Sequence, residues 1–405
     1  VSLVNPSSLS GKTVVLAVTG GIAAYKSAYL ASSLTKCGAR VRTVMTRGAT
    51  QFVAPLTFQS LTHEPVHIDV FDERDPARIA HISLADEADL VIVAPATADV
   101  LARVAHGFGD DMLTAMLLAT RAPVIFAPAM NVHMWENAIL QENVQKLRVH
   151  GYLIAEPGAG PLACGYTGKG RLMEPDDLLE FLEWAATESR YQGLRVLVSA
   201  GPTRERIDPV RYLTNDSTGT MGYAIARMAW RMGAEVTLVS GPTSLPEPLG
   251  VSVVHVATAS EMERAMIDRA NDADVVIMTA AVADYRPETV LEKKFKKTQD
   301  TLSLALVKNP DILSQLRDHM KPRATLVGFA AETHDHELYA RKKLREKRLD
   351  FVVLNDVLEP GAGFGTGTNR VTVYAADGGV TPLAQADKLT VAGLLLQLIR
   401  TGREV

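Results

Sequence analysis

Two apolar, β-branched runs most constrain what this chain can become, because each opens and closes on Ala-Asp. They are ADLVIVAPATAD (Ala88–Asp99) and ADVVIMTAAVAD (Ala273–Asp284). A run without polar alternation describes a strand buried on both faces, which calls for helices above and below a parallel sheet. The duplication extends upstream. TVVLAVTGGIAAYKSAYLASSL reads as strand, glycine turn and helix, and LRVLVSAGPTRERID as strand and glycine turn again. Second strands follow behind Gly-Ala in GARVRTVMT and GAEVTLVSG. Short strands alternating with helical segments are βαβ units. The expected fold class is α/β, with two doubly wound, Rossmann-like domains and mostly parallel sheets. Residues 1–190 form the first expected domain and 191–405 the second, joined near ATESRYQG.

Composition agrees with that architecture and excludes others. Hydrophobic residues make up 47% and aromatics 6% of 405 residues, as suits small aliphatic side chains between helices and buried strands. A net charge of −4 gives no reason to expect a nucleic-acid partner. No charge-free apolar run is long enough for a membrane span, and VSLVNPSSLSGK lacks the basic and apolar regions of a signal peptide. Two cysteines, Cys37 and Cys164, make a disulfide framework unexpected and the cytoplasm the expected compartment.

In doubly wound sheets ligands bind beyond the carboxyl ends of the strands. That places TGG, APATAD, SAGPTR and TAAVAD at two clefts, whose differing loops imply two different ligands. TGGIAA lacks the G-x-G-x-x-G spacing, and neither second strand ends in the acidic residue that would hold an adenosine ribose. Thr19, Ser27, Thr46 and backbone N–H groups at a helix N-terminus suit a mononucleotide phosphate better. From these residues alone, FMN and any other phosphate ligand stand level.

HISL (His81–Leu84), APATAD, FAPAMNVHMW (Phe126–Trp135) and PLACGYTGKGR (Pro161–Arg171) complete the first half. Singly each has an ordinary reading: a surface histidine, a turn with core methionines, a surface loop. As an ordered set with GGIAAYKS they resemble the flavin-dependent cysteine decarboxylases. More closely, from Gly11 to about Leu398, the chain resembles the fused phosphopantothenoylcysteine decarboxylase and phosphopantothenate–cysteine ligase family of coenzyme A biosynthesis. An FMN-binding motif of that family reads close to G-x-A-D-D; here it is GFGDD, with Gly109 where alanine is usual, a change expected to be tolerated.

The resemblance implies an FMN site at Gly20, Gly21, Ser27, Thr46, Pro95, Ala96, Thr97 and Asp99. It maps His81, Asn131, Met134 and Cys164 onto active-site positions. The chemistry explains the residue types. A carboxylate on a carbon next to an amide has no electron sink. Oxidation of the neighbouring thiol to a thioaldehyde places the carboxylate β to C=S, so carbon dioxide departs as an enethiolate forms. Cys164 is the implied proton donor. Asn131 orients the carboxylate, His81 assists proton removal or positions the substrate, and Met134 contacts it. PLACGYTGKGR is not a Walker loop, because Ala163 stands at the first glycine position and Gly170 where Ser or Thr must hold Mg2+. Its glycines read as hinges of a flap that closes over the substrate and delivers the Cys164 proton.

The second half carries AGPTRERIDPVRYLTNDSTGTMG, TAAVADYRPE, KKFKK, KNPDIL, GFAAET and the helical HELYARKKLREKRL (His336–Leu349). The resemblance implies that CTP activates the carboxylate of 4'-phosphopantothenate, that pyrophosphate leaves, and that the amino group of cysteine attacks the acyl-cytidylate. The product is the substrate of the first half, which supports the fusion independently. Implied CTP contacts are Met278, Thr279, Ala280, Asp284, Lys294, Pro310, Asp311, Ile312, Leu313, Phe329, Lys343 and Lys347. Lys294 is the position linked to forming the cytidylate. Lys343 and Lys347, four apart, share a helix face and reach the same phosphates. Mg2+ accompanies CTP, and Asp284 meets either the metal or a base edge. Arg211, Asn215 and Ala281 match positions that convert the acyl-cytidylate, with amide and guanidinium donors for an oxyanion. ETHDHE (Glu332–Glu337) has no zinc spacing and reads as a helix start. The family further implies homo-oligomers: trimers of the first domain, dimers of the second, a dodecamer overall. An NAD(P)-dependent reductase is disfavoured by the missing acidic residues. A non-catalytic flavoprotein regulator is disfavoured because His81, Asn131 and Cys164 are all present.

One departure from the family pattern bears on affinity. Asp216 and Thr220 stand where cationic residues are common, in a loop expected near an anionic substrate. Each lost charge shifts binding by about 1–3 kcal/mol in a partly desolvated site, unless a basic residue elsewhere compensates. Thr220→Lys should lower the Michaelis constant of ligation for 4'-phosphopantothenate. A constant that stays the same or rises refutes the deficit.

Overall fold

The structure, a computed structural model, describes residues 7–71, 79–161, 165–294, 303–332, 336–356 and 367–403. The chain separates into two compact units, one of Pro6–Thr187 and the other beginning at Glu188.

The first unit is built on a six-stranded sheet of β1 (Thr13–Val18), β2 (Arg40–Met45), β3 (Val66–His67), β4 (Leu90–Ala96), β5 (Val124–Pro128) and β6 (Leu153–Ile154). The spatial order is β3-β2-β1-β4-β5-β6, and every pairing is parallel. The absence of polar alternation has the expected cause. Val14, Leu16 and Val18 enter one core while Val15 and Ala17 enter the core on the opposite face, all fully buried. β4 divides likewise, Leu90, Ile92 and Ala94 facing one way and Val91, Val93 and Ala96 the other. A short antiparallel hairpin of β7 (Gly158–Pro161) and β8 (Thr167–Arg171) follows.

The second unit repeats the winding. β9 (Arg195–Ala200) is followed by a small hairpin, β10 (Arg204–Arg206) with β11 (Tyr212–Thr214). β12 (Glu235–Ser240), β13 (Ser252–His255) and β14 (Val275–Met278) come next, then a second hairpin, β15 (Tyr285–Pro287) with β16 (Leu306–Lys308). β17 (Thr325–Glu332), β18 (Phe351–Asp356), β19 (Thr368–Ala375) and β20 (Val380–Asp387) complete the set. The eight-stranded order is β13-β12-β9-β14-β17-β18-β19-β20. Its first six strands run parallel in the same relative order as the first unit, and only β18–β19 and β19–β20 are antiparallel. That order places the first strand of each unit at the sheet centre, with the chain reversing direction beside it. The α/β, mostly parallel, doubly wound architecture is thus present twice. Among the described residues no helix is long and apolar enough to cross a membrane.

The helix Thr220–Arg231 packs against β9 through Gly222. An ideal Cβ there would stand 2.5 Å from Ala200 Cβ, 2.5 Å from Thr279 Oγ1 and 2.9 Å from the Ser199 carbonyl oxygen. Glycine is therefore required for the helix to start this close to the strand. Gly222→Ala should lower the stability of the second unit by about 1–3 kcal/mol. The measurement is a lower denaturant midpoint at unchanged m-value for that unit's transition.

Candidate active sites

Each unit presents a cleft at the strand order's reversal point. In the first, the connection after β1 and that after β4 are tied together. Thr19, 1% exposed, donates through Oγ1 to the Pro95 carbonyl at 2.7 Å and accepts from the Thr97 N–H at 3.2 Å. Thr97 also caps the helix Ala98–Ala105 by accepting from the Val100 N–H. Beside this tie lies a cleft of about 550 Å3, lined by Gly20, Thr46, Thr97 and Asp99 from the expected set. Gly21, Ser27, Pro95 and Ala96 do not line it. Ser27 is buried and donates to the Ala94 carbonyl, fastening the first helix to β4. Pro95 and Ala96 belong to β4 itself.

The lining also includes residues not anticipated as contacts: Arg47, Arg103 and an apolar wall with Met45, Ile68, Phe71 and Leu113. Asp110 and Asp111 of the GFGDD motif line the cleft as well. Asp110 is ion-paired with Arg103, and Asp111 forms a capping box with Thr114 at the next helix. A Cβ on Gly109 would crowd the flexible tip of exposed Leu118 and reach ordinary contact with the Ala115 Cα, so an alanine there needs one side-chain rotation. A volume of this size suits a small-molecule site. A backbone-walled, hydroxyl-rich end, an apolar wall, and a buried Arg103 Nε with no hydrogen-bond partner among the described residues fit a ligand that is part phosphate and part flat ring.

Asn131 follows β5 and caps the four-residue helix Val132–Trp135, its Oδ1 accepting from the His133 N–H at 2.8 Å. Its carboxamide is thus fixed in orientation. Met134, on that helix, is 48% exposed. The β7–β8 hairpin lies directly on this segment: the Met130 N–H donates to the Gly170 carbonyl at 2.9 Å. A Cβ on Gly170 would stand 2.4 Å from the Met130 carbonyl oxygen, and one on Gly168 2.6 Å from Val132 Cγ2. These two glycines permit close packing rather than hinging, which corrects the reading of all the loop's glycines as hinges. His133 meets Tyr166 edge-on at 5.1 Å, and Lys169 pairs with Glu156 at 2.5 Å while lying over Trp135. Cys164 lies outside the described residues, as do its neighbours Leu162 and Ala163. His81 sits in the helix Ala80–Glu87 with a buried Nδ1 that has no hydrogen-bond partner among the described residues.

In the second unit the equivalent tie is made by Ser199 at the end of β9. Thr279 donates to its carbonyl at 2.5 Å, and its hydroxyl accepts from the Ala280 N–H at 3.1 Å. The cleft here holds about 710 Å3. Every nucleotide position expected from the resemblance lines it except Lys294: Met278, Thr279, Ala280, Asp284, the run Pro310–Leu313, Phe329, Lys343 and Lys347. Ala281 lines it too, and Asn215 donates through Nδ2 to the Ala281 carbonyl at 2.9 Å, bringing those two positions together. Arg211 is held instead by the fully buried Asp208, to which its Nε donates at 2.9 Å. Lys294 is exposed and outside the lining, and the residues that follow it, 295–302, are outside the described residues.

The β15–β16 hairpin shapes one wall, where Asn309 donates through Nδ2 to the Ala283 carbonyl at 2.8 Å. Lys347 lies beyond the helix expected to carry it. That helix ends at Glu346, and Arg348 takes a left-handed φ of 51°. Lys343 donates to the Phe329 carbonyl and Lys347 to Asp311, each at 2.7 Å. Sequence reasoning missed Asn355, Asn369 and Lys388, which reach the cleft from β18, β19 and the start of the last helix. Four lysines against two aspartates in the lining make it electropositive. Among the described residues no cluster of three or more His, Cys, Asp or Glu could hold a metal. Of ETHDHE, Thr333–Asp335 lie outside the described residues.

Burial pushes the Asp311 carboxyl up, but hydrogen bonds from Lys347 and Ser314 outweigh it, and the net pKa is lowered. A depressed carboxyl pKa contributes stability above its unfolded value, which is lost as pH falls through the folded value. Lys347→Met should therefore flatten the acid-side loss of stability in the second unit. The effect at neutral pH stays below about 1 kcal/mol, because Asp311 is half-exposed. Chemical denaturation from pH 7 down to about pH 3 reads it.

Comparison with known proteins identifies the family. The Flavoprotein family matches residues 3–186, and the family described as DNA/pantothenate metabolism flavoprotein C-terminal domain matches residues 191–402. The coenzyme A biosynthesis bifunctional protein CoaBC of Bacillus subtilis (strain 168) is 49% identical over 395 residues, covering 96% of this chain and 97% of that one. Its namesake from Escherichia coli (strain K12) is 45% identical over 390 residues, covering 94% and 95%. A solved C-terminal domain of a CoaBC protein covers 54% of this chain and 99% of its own at 46% identity, with a TM-score of 0.46. A flavoprotein unit followed by a pantothenate-metabolism unit, shared along nearly the whole length, makes this chain a member of the CoaBC family of bifunctional coenzyme A biosynthesis proteins.

Proposed function

We propose that the second unit, residues 191–405, joins 4'-phosphopantothenate to cysteine at the expense of CTP, and that the first, residues 1–190, decarboxylates the resulting 4'-phosphopantothenoylcysteine to 4'-phosphopantetheine. The observation that carries the reading is the electropositive cleft of the second unit, which gathers the expected nucleotide positions from four separate chain segments. A triphosphate leaving group needs such positive charge as pyrophosphate departs. Lys343 and Lys347 supply it, Mg2+ accompanies the nucleotide, and Asp284 is the candidate carboxylate for that metal. Lys294 acts on the same phosphates from the exposed segment after the β15 strand. Asn215 and Ala281 hold the acyl group of the cytidylate while cysteine attacks, with Arg211 moving from Asp208 to the developing oxyanion.

In the first unit, FMN bound in the cleft would supply the hydride acceptor and donor that the decarboxylation requires. Thr46, Thr97 and the Gly20 backbone would hold its phosphate end, and Arg103 Nε gains the partner it lacks. The capped Asn131 presents its amide N–H groups to the substrate carboxylate, and Met134 covers the substrate's apolar stretch. His81 offers an unengaged ring nitrogen for positioning or proton removal. Cys164, which precedes the strand β8 that lies on the Asn131 segment, donates the final proton. The proposed setting is cytoplasmic and the proposed assembly a homo-oligomer: trimers of first units and dimers of second units in a dodecamer. Exposed Ile22, Tyr25 and Tyr29 around the first helix support an apolar contact for the trimer.

One incubation tests both halves: the full chain with 4'-phosphopantothenate, cysteine, CTP and Mg2+. The expected result is a yellow protein that releases pyrophosphate and carbon dioxide in equal amounts. Pyrophosphate without carbon dioxide sinks the decarboxylase assignment, and colourless protein that FMN cannot reconstitute sinks the cofactor. Cys164→Ser should still release carbon dioxide but accumulate the oxidised enethiol; normal turnover by that variant would make the thiol incidental.

A further inference from the structure

We propose that Lys388 is a further substrate-binding residue of the second cleft, where it anchors a substrate oxyanion. The inference rests on the ligase reading above and deepens it. Lys388 is only 8% exposed, yet it lines the cleft. A lysine that deeply buried ordinarily carries a counter-charge. Here it has no hydrogen bond or ion pair among the described residues.

The carboxylate next to it in sequence is already committed. Asp387 accepts from the Leu389 N–H at 3.1 Å and the Thr390 N–H at 3.0 Å, and its other oxygen accepts from the Thr390 hydroxyl. Two other lysines of the cleft are engaged, Lys343 with the Phe329 carbonyl and Lys347 with Asp311. Lys388 also opens the helix Lys388–Arg403, where the helix dipole disfavours a cation. Burial alone pushes its ammonium pKa down. Two further polar groups stand in the same lining. Among the described residues Asn355 has a buried Oδ1 without a partner, and Asn369, paired in register with Ala386, donates its Nδ2 only to the Met221 sulfur at 3.9 Å.

An ammonium without a counter-charge, on a side chain mostly withdrawn from solvent and open to the cleft, is a cost to the ligand-free protein that an incoming oxyanion reduces. The start of the helix Thr220–Arg231 lines the same cleft without a side-chain cap, so its first N–H groups serve the same class of ligand. The oxyanion has two sources in this reaction, a phosphate of the nucleotide or an acid group of 4'-phosphopantothenate.

The test is calorimetric titration of the full chain, unaltered and as Lys388→Met, with CTP plus Mg2+ and separately with 4'-phosphopantothenate. The anchor predicts Kd weakened about 10- to 100-fold for one probe, and which probe is affected names the source. Lys388→Arg should recover part of the loss. A merely structural lysine would lower the Tm of the ligand-free variant. The anchor predicts an equal or higher ligand-free Tm, because an unpaired buried charge has been removed, with flavin absorbance unchanged. If the unaltered chain binds the probes and Lys388→Met binds both equally well, the anchor is wrong while the ligase reading stands. If the unaltered chain binds neither probe, the ligase reading fails and the anchor with it.

Discussion

Both halves depend on one device: a buried hydroxyl at the end of the central strand that ties it to the end of its neighbour. In the first unit Thr19 bridges to Pro95 and Thr97. In the second, Ser199 takes the Ala280 N–H while Thr279 bonds its carbonyl. At these places adjacent parallel strands send their chains to opposite faces of the sheet, leaving backbone groups that neither helix can satisfy. In the first unit one hydroxyl both donates and accepts to close the gap, and in the second the two roles are divided between Thr279 and Ser199. The cap at Thr97 and the cleft-lining run Met278–Ala280 both start from those fixed ends.

The two clefts then diverge in electrostatics. The first places aspartates 69, 99, 110 and 111 among apolar residues and two arginines, with Arg103 paired to Asp110. The second collects lysines from β16, the helix after β17 and the start of the last helix, and satisfies only some of them internally. A lysine held by a carbonyl or a carboxylate is preorganised, and one buried without either waits for an anion. The difference follows from the longer second sheet. Its antiparallel edge strands β19 and β20 bring Asn369 and Lys388 back towards a cleft opened by β9 and β14.

Repeated strand patterns made the architecture legible, because burial on both faces leaves no freedom for polar alternation along β1, β4, β9 or β14. Motif resemblance supplied the second cleft's membership almost whole, since contiguous runs such as Pro310–Leu313 travel together. It did less well for residues that act alone. Arg211 and Lys294 match by position but do not line the cleft, one drawn to Asp208 and the other on an exposed segment. Ser27 was expected at a cofactor but spends its hydroxyl on Ala94. The glycines of PLACGYTGKGR suggested motion, whereas Gly168 and Gly170 are small because Val132 and Met130 press on them.

The sequence by itself determined the doubly wound fold, its repetition, and the loops that end on the clefts, because these follow from local periodicity and from residues adjacent along the chain. Only the tertiary structure decided which charges are already neutralised and which are not. Lys347 and Lys388 look alike in sequence, yet one meets Asp311 across a gap of 36 residues and the other meets no partner among the described residues. Pairing is set by distance and burial in the folded sheet, and neither is encoded in the spacing of a single chain segment.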